Sequence, residues 1–330
     1  MALGAAVLLT ANAAMAARSQ GDDSAAKALV SKALAASDIE AEAAPALRLE
    51  ARIRSQFDDE ALHKGKLLWV RTRAGWRHEE LTLAAYRSVR ISDGNGVWTK
   101  STEDYLPFSV FLAERAANFL RWLREAGGEQ LSGPQTSAAT GETCVKTVSL
   151  SDPLTYCFDP FSGNLSRVAD TWWNVTFRYS EYVPFGARSF PRLMEVVRSD
   201  GNVLVEIHVV RLAKEKKPDS QLFLPVKGAK KQPAEAACGK IVEARLLKMV
   251  QPNYPAEAAR AGIIGVVKLY ADIGADGVPR GMWLVNSASP VLGQAAVNAV
   301  RQWRYQPRTC ETTGEKLPQV QNITVVFSPR

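Results

Sequence analysis

Three histidines, four cysteines and two short acidic runs are the side chains here whose chemistry could be catalytic or metal-binding. His78 is followed by Glu79 and Glu80, but this is not the H-E-x-x-H spacing of a helical zinc site. His208 falls in an alternating run that reads as a strand, and His63 stands apart from both. Asp58-Asp59-Glu60 and Glu79-Glu80 read as loop and strand-end charges. No glycine-rich phosphate loop and no G-x-S-x-G turn occurs. Cys144, Cys157, Cys238 and Cys310 lack C-x-x-C spacing, so no metal is expected of them. The reading is a binding protein, with no catalytic residue, no metal and no cofactor.

An even cysteine count suits an exported chain with two disulfides. Local pairing, Cys144 with Cys157 and Cys238 with Cys310, is the simplest of three connectivities. Residues 2–16, ALGAAVLLTANAAMA, are small and apolar and end in the A-x-A form of a signal-peptidase site. Residues 1–17 therefore read as a signal peptide that lacks its basic first region; the bland alternative is an alanine-rich tail. The stretch is short of the roughly 20 apolar residues that span a bilayer. The expected location is the periplasm.

The elements that must present any binding surface are plainest at the end of the chain. Gln251-Pro252-Asn253-Tyr254-Pro255 precedes a short helix, and Gly262 supplies its left-handed stop. Residues 265–273, GVVKLYADI, alternate, with Val267, Leu269, Ala271 and Ile273 on one face and Lys268, Tyr270 and Asp272 on the other. That is a half-buried strand. Asp276-Gly277 is a hairpin signal, and 280–286 returns as a second strand. Ser289-Pro290 caps a helix whose Leu292, Ala296, Ala299, Val300 and Trp303 share one side, and Pro307 stops it. Residues 320–327 make a third strand. The expectation is a small antiparallel sheet covered on one face.

The order of QPxYP, AEAARAGIIGVV, the Asp-Gly turn, the amphipathic helix and Trp303-Arg304-Tyr305-Gln306-Pro307 resembles the C-terminal domain of the TonB family over residues 240–328. The resemblance implies that the last strand is a sheet edge accepting an extended segment of an outer-membrane receptor or other envelope protein. Edge strands carry unpaired N–H and C=O groups, which an added peptide satisfies in register. The implied contact residues are Gln251, Asn253, Tyr254, Gln321, Asn322, Ile323, Thr324 and Val325. Tyr254, Trp303, Tyr305 and Pro307 also fit as core and turn residues.

Upstream, residues 24–43 read as a helix and 108–126 as one amphipathic helix, with Phe108, Phe111, Leu112, Arg115, Phe119, Trp122 and Leu123 on a stripe. Strands are expected at 46–57, 64–72, 75–83, 86–92, 96–100, 143–150, 154–159, 164–170, 173–180, 191–198 and 203–212. This is an antiparallel sheet wrapped around helices. Gly65-Lys66-Leu67-Leu68-Trp69, Gly75-Trp76-Arg77-His78-Glu79, Ser92-Asp93-Gly94-Asn95-Gly96-Val97-Trp98 and the Tyr182 to Pro191 stretch resemble the LolA and LolB lipoprotein carriers and their relatives. That resemblance implies a half-barrel over 24–213 whose concave face takes a lipid or acyl chain, with Trp69, Trp76, Trp98 and Trp122 as lining. The same tryptophans would equally fill a packed core.

The fold class is thus α+β: a half-barrel, then a small domain at 238–330 with a three-stranded sheet and two helices. Between them, 214–237 reads as a basic linker, since 214–231 holds six lysines against one Glu and one Asp. The chain is 46% hydrophobic and 23% charged, with net charge +7. Its arginines are mixed with acids, which excludes a nucleic-acid partner. The two readings of function are a TonB-like binding protein and a lipid or lipoprotein carrier whose last domain docks or forms a homodimer.

Overall fold

The computed structural model describes residues 23–41, 44–56, 62–94, 96–103, 106–148, 153–232, 240–317 and 319–328. The signal-peptide reading of 1–17, the acids at 58–60 and Cys238 lie outside them. Two compact units emerge: residues to Pro45 with Glu114–Val209, and Ala46–Ala113 with residues from Val210. The α+β class holds, with mostly antiparallel strands and a few helices ahead of a small C-terminal domain.

In the first unit, helix α1 spans 23–37 and buries Ala26, Val30 and Ala33. It ends earlier than its alanine-rich sequence suggests, where Asp38 and Glu40 turn to hold Arg124 at 2.9 and 2.8 Å. The expected long helix is two, α2 (Phe108–Ala117) and α3 (Phe119–Gly128). Asn118 breaks it: at φ −91° and ψ 42° it leaves the helical region, and its side-chain amide donates to the Glu114 carbonyl at 3.0 Å. Local bonding of this kind lets asparagine end helices that periodicity alone would continue.

Helix α3 buries Phe119, Leu120, Trp122, Leu123 and Ala126. Trp122 packs 5.1 Å from Phe177, and Phe119 packs 5.4 Å from Tyr179 and 5.3 Å from Phe190. Arg115, which shared the apolar stripe by spacing, lies 3.7 Å over Trp122 and pairs with Glu125 at 3.1 Å. The strands beneath are β6 (Leu131–Thr136), β7 (Thr143–Thr147), β8 (Leu154–Phe158), β9 (Leu165–Asp170), β10 (Val175–Phe185), β11 (Arg188–Arg198) and β12 (Val203–Lys214), which runs on into the second unit. Each pairs antiparallel with the next. β6 escaped the sequence reading because Gly133-Pro134 looks like a turn; a proline is tolerated in this edge strand. Cys144 and Cys157 face each other across β7 and β8 and are joined by a disulfide.

The second unit begins with a sheet in the order β13–β5–β4–β3–β2–β1, formed by β1 (Leu47–Gln56), β2 (Leu62–Arg71), β3 (Arg77–Leu83), β4 (Tyr86–Ser92), β5 (Val97–Ser101) and β13 (Lys230–Gln232). Paired residues share a face. Leu49, Trp69 and Glu79 align on one side; Val70, His78, Ile91 and Trp98 align on the other.

The described part of the basic segment is anchored to this unit, although most of its side chains stay exposed. A 3₁₀ turn, Ser220–Phe223, is capped by Asp219 and buries Phe223 to 2% exposure. The Leu222 carbonyl meets His78 Nδ1 at 2.8 Å, and Lys230 and Lys231 then pair with Thr99 and Trp98. Composition pointed to a linker because lysines outnumber apolar residues there. One buried phenylalanine and three ladder residues suffice to hold the segment down.

The C-terminal elements follow the expected order. They are α4 (Ala256–Arg260), β16 (Gly265–Ile273), β17 (Pro279–Ser287), α5 (Pro290–Val300) and β21 (Gln319–Phe327), with the sheet ordered β17–β16–β21. Ser289 Oγ accepts from Leu292 N at 3.3 Å, so the cap and Pro290 start α5 as their residue types require. Five short strands were not foreseen: β14 (Ile241–Val242), β15 (Arg245–Lys248), β18 (Arg304–Gln306), β19 (Arg308–Cys310) and β20 (Lys316–Leu317). Strands this short carry no period to read.

Candidate functional site

One face of β16 makes the core of the C-terminal domain. Val267, Leu269, Ala271 and Ile273 pack with Ala258, Leu292, Ala296, Val300, Trp303 and Tyr305. Trp303 Nε1 donates to the Val250 carbonyl at 2.8 Å, which fixes the chain just before the QPxYP segment. Tyr254 donates its hydroxyl to the Ile263 carbonyl at 2.6 Å and sets its ring 6.0 Å from Phe327. That tyrosine is a brace between the segment and the end of β21, while Gln251 and Asn253 are exposed.

β21 pairs with β16 from Gln319 opposite Ile273 to Phe327 opposite Gly265. On its other side no strand pairs with it among the described residues, so it is the edge of the sheet. Ile323, Val325 and Phe327 point into the core, whereas Asn322, Thr324 and Val326 are exposed. The side chains of Ile323 and Val325 are therefore committed to packing, and only their backbone can meet a partner. Gln321 is half-buried, and its amide donates to the Asn322 carbonyl at 3.1 Å.

The opposite face of the sheet differs from expectation. Tyr270 is fully buried and Asp272 is 1% exposed, although the alternation placed both toward water. Phe108 packs on the Tyr270 side of this face: its ring centroid lies 4.3 Å from Tyr270 and 5.4 Å from Trp283, with Phe111 6.1 Å from Tyr270. Where Tyr270 pairs with Trp283 and Asp272 with Arg280, the register shifts. Gly281, at φ 46°, stands in that bulge, and a Cβ there would collide with the Asp272 carboxylate. The glycine makes the room that the acid occupies.

Neither Asp272 oxygen has a hydrogen-bond partner among the described residues. Burial pushes its pKa up to about 8; the nearby Tyr270 hydroxyl lowers it only in part. Burial likewise drives the Tyr270 hydroxyl far above its usual range, with the Asp272 charge adding to it. The sequence carried one signal of this cluster, an aromatic and a carboxylate on one face of an alternating strand. Its cover lies far upstream and could not be read from it.

The tryptophans expected to line a cavity are dispersed. Trp69 is 4% exposed with the Arg77 guanidinium 4.1 Å over its ring, while Trp98 lies on the other face of that sheet, under Lys231 at 5.3 Å. These two share no lining. Trp76 is 42% exposed and packs 6.2 Å from Phe223. Trp122 is a core residue of the first unit. Cys310 is disulfide-bonded; Cys238, its expected partner, lies outside the described residues.

Among the described residues no helix is long and apolar enough to cross a membrane. The sequence matches no curated protein. Three solved structures are similar to parts of the chain. The C-terminal domain of Pseudomonas aeruginosa TonB is 26% identical, covering 26% of this chain and 87% of its own, with TM-score 0.24. A putative outer membrane lipoprotein-sorting protein domain from Vibrio parahaemolyticus is 8% identical, covering 61% and 97%, with TM-score 0.39. A LolA superfamily protein from Nitrosomonas europaea is 11% identical, covering 60% and 97%, with TM-score 0.38. Residues 250–329, which contain the open strand edge and the braced QPxYP segment, match the family described as Gram-negative bacterial TonB protein C-terminal.

Proposed function

We propose that this protein is a periplasmic binding protein of the cell envelope whose C-terminal domain takes an extended segment of an outer-membrane partner along β21. The open edge of β21 carries the reading. An extended peptide laid there gains backbone hydrogen bonds that the isolated edge makes only to water. Specificity would come from the exposed Asn322 and Thr324 and from Gln251 and Asn253. The family match over 250–329 supports the same role. The role is binding, not catalysis.

The test is a titration of isotope-labelled protein with short extended peptides from candidate envelope partners, followed by NMR. Shift changes should run along 319–327 and include Gln251, with new cross-strand contacts to the peptide. Perturbations confined to residues before 232 would overturn the reading.

A further inference from the structure

A second surface of the protein points to a different partner. Lys227, Lys230 and Lys231 sit on the turn and strand that pair with β5, and Lys100 of β5 donates its ammonium to the Lys227 carbonyl at 2.9 Å. These four lysines are exposed, and none makes an ion pair among the described residues. The stretch 214–231 supplies six of the chain's 41 basic residues against two acids. Of those acids, Asp219 is engaged with the Gln221 N–H at 2.9 Å.

The same turn exposes two aliphatic side chains, Leu224 at 55% and Val226 at 37%. Their presentation is fixed from both sides. Phe223, next to Leu224, is 2% exposed, and the Leu222 carbonyl is held by His78. On the other side, Ala229 N closes the turn on the Val226 carbonyl at 2.9 Å, and β13 enters the sheet. The protein therefore spends ordered structure to hold two apolar groups in water beside a cluster of unpaired cations.

We propose that this turn docks the protein on an anionic lipid surface, with Leu224 and Val226 entering the interface and Lys100, Lys227, Lys230 and Lys231 over the head groups. The chemistry favours a bilayer over other polyanions. Lysines act as point charges with flexible stems, suited to a diffuse array of head groups, and the stretch 214–231 has no arginine fork for a defined phosphate. Its own aromatic, Phe223, is 2% exposed and Lys231 lies over Trp98, which leaves Trp76 as the single exposed ring beside the turn among the described residues, short of the run of stacking rings that bases need. Aliphatic groups flanked by lysines match the two contributions to interfacial binding, apolar insertion and attraction to anionic lipid.

The experiment is sedimentation of the full chain with vesicles of phosphatidylcholine alone and of phosphatidylcholine mixed with phosphatidylglycerol. Binding should require phosphatidylglycerol and weaken as salt is added. Each lysine near such a surface contributes about fivefold in affinity, so Lys227→Gln with Lys230→Gln should lose roughly 30-fold. Leu224→Ser with Val226→Ser should also weaken binding but leave its salt dependence unchanged. These side chains are exposed, so melting curves should match the parent and exclude unfolding as the cause. Equal binding to both vesicles, or to neither, would overturn the proposal. So would binding to soluble heparin as tight as to the vesicles, with the serine variant unaffected, because the patch would then be a general polyanion site.

Discussion

Phe108 and Tyr270 stand 4.3 Å apart, ring to ring, on segments that the sequence assigns to different domains. Through this contact the outer face of the C-terminal sheet is dry at Tyr270, Asp272 and Trp283. The Asp272 carboxyl beside Tyr270 is 1% exposed, and neither of its oxygens has a hydrogen-bond partner among the described residues. Burying a charge in such a place costs several kcal/mol, so the group holds its proton instead.

Stability should consequently depend on pH in a defined direction. The folded-state pKa of Asp272 is raised to about 8 by burial, well above that of an exposed aspartate. Below the unfolded value both states are protonated and nothing is lost. As pH rises from about 4 toward 8, the unfolded chain ionises while the folded one does not, and stability falls; above that it levels. Facing groups do not replace this effect. Tyr270 is itself buried, Arg280 is held by Asp276 at 2.6 Å, Lys268 lies farther along the strand, and Phe108 to Ala113 carry no charge. Asp272→Asn should lack the dependence, and its melting temperature should gain on the parent across that window by the equivalent of a few kcal/mol. Parallel melting curves from acid to pH 9 would show that water reaches the carboxylate.

Phe108→Ala tests the cover itself. Phe108 is 6% exposed, and its removal should cost about 3 kcal/mol through lost packing and the cavity left behind. It should do something more specific as well. Water admitted beside Asp272 should bring its titration back toward the ordinary carboxylate range and flatten the pH profile of stability. A variant destabilised with the profile unchanged would mean that other residues keep the site dry.

How far the sequence was legible follows from the range of the forces involved. The hairpin at Asp276-Gly277, the Ser289 cap and the stripe from Leu292 to Val300 are set by neighbours a few residues apart and appear as read, but the helix stops at Val300, in a turn that places Trp303 outside it and well short of Pro307. The free edge of β21 was expected from resemblance, and pairing confirms its position in the sheet. The burial of Tyr270 and Asp272, the opposed faces of Trp69 and Trp98, and the anchoring of 220–231 depend on distant segments. A tryptophan's residue type gives no parity relative to another strand, and register decides it. The break at Asn118 was visible only as a residue type tolerated by the helical stripe on either side.

The cysteines make a separate prediction. Cys144 and Cys157 are cross-strand neighbours at Cα–Cα 4.1 Å, and peptide mapping without reductant should recover them joined. Replacing both with serine should destabilise the chain by at most about 3 kcal/mol, the chain-entropy value for a short loop. Residual structure in the unfolded chain reduces that value, so a smaller loss is expected. The same map should join Cys238 to Cys310. Free thiol at either position in material from the periplasm would refute that second bridge.

The sharpest test of the docking edge uses the alternation of a strand at a sheet margin. Along β21, successive N–H groups point alternately toward β16 and toward the open side. Proline deletes one donor and adds bulk at that position. A proline scan from Gln321 to Val325 should therefore split by parity. Substitutions that remove an inward donor should lower the melting temperature sharply, because the ladder to β16 is broken. Those of the other parity should leave the melt nearly unchanged and yet weaken a bound extended peptide. Gln251→Ala should weaken it by about 1 kcal/mol if the side chain gives one hydrogen bond to the peptide. Binding retained by every folded proline variant would place the partner elsewhere on the protein. Binding lost only where the domain unfolds would show that β21 serves the fold alone.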